Sequence, residues 1–482
     1  MQDRVDSKKV ITNMIWRLME RSGAQFVGFV VQIILARMLV PEYYGSIALI
    51  TVFTAILNVF IDCGLGTALI QKKDADDVDF STVFYFNVTV GIALYLLMFL
   101  TAPMIAGFYE DQGLTPVIRV LCITLIIDGV KNVQVAYISK RLQFKRFFFA
   151  TMGGTVGAAV IGILLAYRGY GIWALAVQQV FNSLVDTLIL WFTVSWRPKR
   201  LFSFDRLKNL LSYGWKLSIA ALLDNSYQRF RELVIGKKYS PSDLAFFNRG
   251  QDFPHFIISI VTASLNNVLF STMSAEQDDR RRIREITRRS IQIGIHLIAP
   301  VMTGLIVVAE PTVRLLLTEK WLPCVPFLCI FSVNYILYPV HLANLDAMKA
   351  LGRSDLFLKL EIIKKVLGVT VLVLTMWSGP LAMAYGLLLT SLVGQYINAR
   401  PNKGLLDYGY LEQLKDMIPS LLIAVVTGLC AYSIRFLGWN DAVTLLVQIC
   451  TGMVIYIGLS AFFRIEAYSY LVQLIKRFGE DR

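Results

Sequence analysis

No polar stretch of this sequence is long enough to fold by itself. Charged residues make up 17% of the 482 positions, against about 25% in soluble domains, and polar segments of roughly 5 to 18 residues are too short to build a catalytic or binding domain outside a membrane. Cysteines number six, all in or beside apolar stretches and without metal-ligand spacing, which argues against a disulfide scaffold or a zinc site. The three histidines, His255, His296 and His341, stand far apart, so packed and hydrogen-bonded histidines are expected instead of a metal centre. No G-x-x-x-x-G-K-[ST] loop occurs, and no cofactor is expected.

What fills the sequence is hydrocarbon. Hydrophobic residues reach 56% and mean hydropathy is +0.58, with apolar runs recurring from end to end at the length that spans a bilayer, about 20 residues. We expect an all-α integral membrane protein of about fourteen helices. The spans lie near 12 to 36, 46 to 70, 81 to 106, 116 to 138, 148 to 167, 172 to 194, 210 to 236, 252 to 273, 290 to 309, 323 to 347, 359 to 377, 381 to 399, 417 to 436 and 442 to 463. The first carries Arg17, Glu20 and Arg21 and lacks a small-residue cleavage site, so it reads as a retained helix.

The net charge of +13 is dispersed among these runs, which does not suit nucleic acid. Topology accounts for it. With the N-terminus in the cytoplasm, the loops on the opposite side hold only Arg37, Arg168, Lys237, Lys238, Arg249, Arg314, Lys320 and Arg435. Both termini are then cytoplasmic. The run Arg280 to Arg289 is expected as a solvated cytoplasmic loop touching anionic lipid.

Two fragments point to internal duplication. Ile34-Leu35-Ala36-Arg37 followed by Pro41 and Glu42 is echoed by Val234-Ile235-Gly236-Lys237 followed by Pro241 and Asp243. Gly171, Ala174, Ala176, Ser183, Leu184 and Val185 are matched at one constant offset by Gly379, Ala382, Ala384, Ser391, Leu392 and Val393. This divides the chain into a lobe over 1–200, a second over 201–403 and an appended helix pair with a tail over 404–482.

Ionisable residues inside spans are costly and usually face a bundle interior or a wet cavity. Helix 1 carries Arg17 and Arg21 on one face with Glu20 beside them, and helix 7 carries Lys216, Asp224, Arg229, Arg231 and Glu232. Two arrangements are open: the cations line a positively charged cleft between the lobes, or they pair internally, Glu20 with Arg17 or Arg21 and Glu232 with Arg229. Asp62, Asp128, Lys131, Asp186, Asp346, Glu361, Lys364 and Lys365 form a second set. Asp128 and Lys131 most simply neutralise each other, Glu361 and its lysines snorkel, and Glu20, Asp62, Asp224 and Asp346 are the candidates for carrying a coupling ion.

Leu35-Ala-Arg-Met-Leu-Val-Pro-Glu-Tyr-Tyr-Gly45 and Asp62-Cys-Gly-Leu-Gly-Thr-Ala-Leu-Ile-Gln71 resemble the N-terminal signature of bacterial polysaccharide transporters. Arg141 to Arg146, Gly169-Tyr-Gly-Ile-Trp-Ala-Leu175, Leu244-Ala-Phe-Phe-Asn-Arg-Gly250 and Glu319-Lys-Trp321 continue the similarity over essentially the whole chain. The family is that of the Wzx-like flippases in the multidrug, oligosaccharidyl-lipid and polysaccharide exporter superfamily, nearest to colanic acid and teichuronic acid exporters. The resemblance implies two six-helix lobes around a central cavity, alternating access, and transfer of an undecaprenyl-pyrophosphate-linked oligosaccharide to the outer leaflet. It also implies membrane lipids and polysaccharide polymerase or other export machinery as partners. Related flippases are thought to use cationic cavity residues, whose nearest counterparts here are Arg17, Arg21, Lys216, Arg229 and Arg231. One departure is Thr318, where the pattern has glycine. A multidrug or cation antiporter of the same superfamily is the nearer rival, and a membrane polymerase or ligase the more distant one, lacking a long outer loop with an acid pair.

Overall fold

The computed structural model describes residues 7–141, 143–276 and 279–480. The side chains of Arg17, Glu20 and Arg21, three of the expected site residues, lie outside the described ones. Among the described residues the chain is helical throughout, without strands. Nine helical stretches among the described residues, from Pro41–Gln71 to Asp441–Phe462, are long and apolar enough to cross a membrane. Helices also lie at the other expected spans.

By contact density the chain forms two units, divided after Ala245. The first contains α1 (Ser7–Met38), α2 (Pro41–Asp62), α3 (Leu65–Gln71), α4 (Asp77–Phe108), α5 (Leu114–Leu121), α6 (Ile123–Lys140), α7 (Phe144–Tyr167), α8 (Ile172–Thr193) and α9 (Phe204–Lys238). Its interior has two apolar clusters. One gathers Leu35, Ile50, Ala102, Ile118, Leu125 and Ala174; the other gathers Leu69, Phe80, Val133, Tyr137, Leu190 and Trp196. On α6 and α8 the charged residues Asp128, Lys131 and Asp186 fall in sequence between members of the two clusters.

Backbone chemistry explains the breaks. α2 starts at Pro41, whose fixed φ suits a first helical position, and stops where Cys63 and Gly64 take left-handed φ values of 44° and 65°. α4 starts in a reciprocal capping box: the Asp79 N–H donates to Asp76 Oδ1 at 3.0 Å and the Asp76 N–H to Asp79 Oδ2 at 3.2 Å. That backbone donor holds the Asp76 carboxyl below the usual carboxylate range.

Asp79 is fully buried and also binds Lys72 Nζ at 2.6 Å and Arg206 at 3.4 Å. The segment leading into α9 is strapped to the same helix start, with the Lys199 N–H on Ser81 Oγ and the Ser203 N–H on Thr82 Oγ1, at 3.0 and 3.1 Å. The basic linker therefore has an acidic anchor, Asp76, Asp77 and Asp79, in addition to any topological role.

The division falls inside α10 (Pro241–Ala275). The second unit continues with α11 (Arg280–Val307), α12 (Ala309–Leu317), a 3-10 turn (Glu319–Cys324), α13 (Val325–Ile336), α14 (Tyr338–Ala350), α15 (Ser354–Thr375), α16 (Pro380–Leu406), α17 (Tyr410–Ser433), α18 (Asp441–Phe462) and α19 (Glu466–Glu480). The arginine run is not a loop, as the sequence suggested, but the first turns of α11. Asp279 caps it through the N–H groups of Arg281 and Arg282, and acids neutralise the run: Arg284 meets Asp407, while Arg288 grips Asp416 with two guanidinium nitrogens.

The family-like motifs meet in pairs. In the first unit Gly171 lies against the ring of Tyr43, and a Cβ on Gly45 would fall 1.7 Å from the carbonyl oxygen of Pro241. In the second, Trp321 is fully buried, with the Arg249 guanidinium 5.3 Å over its ring and Phe246 edge-on. Thr318, which stands where glycine is expected, has φ 85° and ψ 169°, a region open essentially to glycine alone. Thr318→Gly should therefore stabilise the protein by about 1 kcal/mol, read as a higher melting temperature in detergent. Gly45→Ala should lower it by a comparable amount or more, because backbone must move. Equal melting temperatures for Thr318→Gly and wild type would contradict the strain.

Candidate transport site

α9 carries the cations that sequence reasoning singled out. Ser203 caps it, Asp205 sits in its first turn and Lys237 and Lys238 in its last, each charge placed to suit the helix dipole. It packs on α2, α3 and α4, and glycines set the approach at both ends. Near the start, Gly214 lies on Gly64 and Cys63, so close that a Cβ on Gly214 would stand 2.5 Å from the Cys63 carbonyl oxygen. Near the end, Gly236 receives the Leu49 side chain.

Between these points no residue from 215 to 234 is buried. Lys216 and Asp224 are exposed, and Arg229, Arg231 and Glu232 are half-buried. Glu232 pairs with Arg229, though at 3.8 Å the contact is long. Asp224 accepts from the Gln228 amide at 2.9 Å. The Nε of Arg231 is buried with no hydrogen-bond partner, an arrangement that leaves donor capacity for an anion. Internal pairing thus accounts for Arg229, while Arg231 keeps an unsatisfied donor.

A second group assembles from three helices. Lys131 Nζ on α6 lies 3.2 Å from Asp128 Oδ1 and 3.4 Å from Asp186 Oδ2 on α8. Asn58 of α2 donates to Asp128 Oδ2 at 3.1 Å, and Ser183 donates to Asp128 Oδ1 at 3.0 Å. The three charged side chains are 18–21% exposed, and Asp186 Oδ1 has no hydrogen-bond partner. Asp128 and Lys131 do pair, as expected, but the lysine is shared with a second carboxylate, leaving the group one negative charge in excess.

The remaining coupling candidates are dispersed. Asp62 takes no part in this group: its Oδ1 accepts the Gly66 N–H at 3.1 Å across the α2–α3 break. Asp346 on α14 is nearly buried, 3.2 Å from Lys349. Lys364 and Glu361 pair at 2.6 Å on α15. Glu20 lies outside the described side chains.

Sequence reasoning missed the uncharged partners. Asn58 was passed over on an apolar helix, and so was the buried trio in which Gln413 and Asn402 both donate to Asn344 Oδ1, at 2.8 and 2.6 Å. A usable signal was present for Ser183, since it and Ser391 occupy matched positions of the repeat. Ser183 bonds Asp128, and Ser391 is 3.2 Å from His341 Nε2, with Asn398 on the other ring nitrogen. The helices α8 and α16 also both start at a glycine of positive φ, Gly171 and Gly379. His296 is buried between Ser420 and Tyr456, so two of the three histidines are packed and bonded.

The sequence pattern of the family described as polysaccharide biosynthesis protein matches residues 34–326, more than half of the chain. The chain belongs to this family. The succinoglycan biosynthesis transport protein ExoT of Rhizobium meliloti (strain 1021) is 25% identical over 69% of this chain and 68% of its own. The teichuronic acid biosynthesis protein TuaB of Bacillus subtilis (strain 168) is 23% identical over 63% of each chain; the present chain thus spans under two thirds of TuaB. Among solved structures, the lipid II flippase MurJ in an inward closed conformation shares the fold, with a TM-score of 0.79 at 14% identity, covering 95% of this chain and all of that one.

The shared lysine generates a prediction. Lys131→Met strands two carboxylates in an apolar setting and should cost about 3 to 5 kcal/mol. Neutralising the acids as well, in Asp128→Asn/Lys131→Met/Asp186→Asn, should recover most of that loss. Thermal unfolding in detergent, followed by intrinsic fluorescence, separates the two; a single variant as stable as wild type would mean that the acids do not need this lysine.

Proposed function

We propose that this protein is a flippase that moves a lipid-linked oligosaccharide from the inner to the outer leaflet by alternating access. The observation that carries the reading is the conjunction of membership in a polysaccharide biosynthesis family with the fold of a lipid II flippase over 95% of the chain. The carrier we infer is undecaprenyl pyrophosphate, and the glycan belongs to an exopolysaccharide, O-antigen-type or teichuronic acid pathway. Fourteen spans with both termini in the cytoplasm fit the distribution of basic residues.

Arginine suits this cargo because its planar fork contacts phosphate oxygens in pairs. Arg229, Arg231 and Lys216 on α9, with Arg17 and Arg21 on α1, are the residues we assign to the headgroup. A coupling ion would act through an intramembrane carboxylate. To Glu20, Asp62, Asp224 and Asp346 the structure-based reading adds Asp128 and Asp186, which share a single lysine. The functional organisation we infer follows the duplication, 1–200 and 201–403, with 404–482 appended.

Proteoliposomes containing a fluorescent undecaprenyl-pyrophosphate oligosaccharide test the reading. Transbilayer movement should exceed that of protein-free vesicles. In Arg17→Gln/Arg231→Gln it should fall roughly tenfold or more, equivalent to about 1.4 kcal/mol of lost phosphate interaction, while Arg231→Lys keeps part of the rate. No acceleration by the wild type would reject the flippase, and efflux of an organic cation dye by the same vesicles would favour the antiporter.

A further inference from the structure

The second unit holds a groove of about 760 Å³ that belongs to neither the α9 cations nor the Asp128 group. It lies where α17 begins and where α18 turns into α19. Its wall is apolar, formed by Leu422, Val426, Leu459 and Phe463, and at one end stand Lys415 and Arg464. Leu422, Val426 and Phe463 are 60%, 47% and 61% exposed, so the wall is open to whatever surrounds the helices.

The charges at that end are unequal. The acids that line it, Asp416 and Glu466, are both engaged by Arg288, at 2.9 and 3.2 Å. Lys415 and Arg464 are exposed and have no ion-pair partner among the described residues, which leaves one positive charge in excess. Arg464 also has φ 47°. A left-handed arginine is a costly choice at a corner where glycine would be free of strain, and such outliers collect where a side chain is needed. From Lys415 to Val426 the wall runs along α17 for about 16 Å at 1.5 Å per residue.

We propose that this groove binds one anionic glycerophospholipid, its phosphate between Lys415 and Arg464 and an acyl chain along Leu422, Val426 and Leu459. A soluble anion would leave the apolar wall uncovered, and a zwitterionic lipid would leave the positive charge unmatched.

Binding is read by native mass spectrometry on the full-length protein in detergent, titrated with phosphatidylglycerol or phosphatidylcholine. It involves no transport measurement, so its outcome is separable from that of the flipping assay. Phosphatidylglycerol should bind more tightly than phosphatidylcholine, and Lys415→Gln should weaken it about fivefold, the effect expected for one interfacial cation. Arg464→Gly should weaken it similarly while raising the melting temperature, which separates lost binding from lost folding. Leu459→Trp, which fills the groove, should reduce binding of phosphatidylglycerol with the cations intact. Equal binding of the two lipids, or unchanged phosphatidylglycerol binding in Arg464→Gly, would overturn the proposal.

Discussion

One lysine shared between two carboxylates sets the terms for the first unit. Water is absent from a bilayer interior, so a carboxylate there persists only if protein groups replace its hydration. Asp128 receives a lysine, an asparagine and a serine from three helices. Because those donors come from α2, α6 and α8, satisfying one side chain fixes the mutual register of all three. Along α6 and α8 the two apolar clusters lie before and after this group in sequence. The lysine cannot satisfy both acids fully, and Asp186 Oδ1 remains without a hydrogen bond. In so nearly balanced a group, the arrival or loss of a single positive charge changes which acid the lysine serves.

The charges outside the apolar layer work differently. Asp79 draws in Lys72, Arg206 and the cap of α4, and Asp416 collects Arg288, Gln292 and Tyr408. Each acid joins donors from its own neighbourhood in sequence to one or more from a segment over a hundred residues away, and so holds a connection in place. Arg206 and Arg288 are thereby used as clamps between segments distant in sequence.

Much of this was legible in the sequence, and the reasons for the rest are physical. Nine of the expected spans were readable because hydrocarbon demands apolar runs of fixed length, and helices occur at the places of the others. Thr318 was noticed as a departure from glycine, and its φ of 85° gives the expected glycine a cause. The Arg280 to Arg289 run was misread because charge density resembles a solvated loop, whereas the acids that neutralise it, Asp407 and Asp416, are more than a hundred residues away. The Asp128 group was only half visible for the same reason. A pair three residues apart can be seen on one helix, but the third charge sits on another, and nothing local announces that they meet. Asn58 carries no charge and left no trace in a search for ionisable side chains.

The glycine contacts of α9 also constrain how it can move. Gly214 and Gly236 bring it against Gly64, Cys63 and Leu49 so closely that neither end can slide without separating backbone from backbone or from a buried leucine. The stretch between them, from Trp215 to Val234, has no such anchorage. A rod pinned at two points has one soft mode left, a change in its curvature. The arginines therefore need not travel with a swinging helix: bending between the pins would advance or withdraw them together, with the ends as fulcrums.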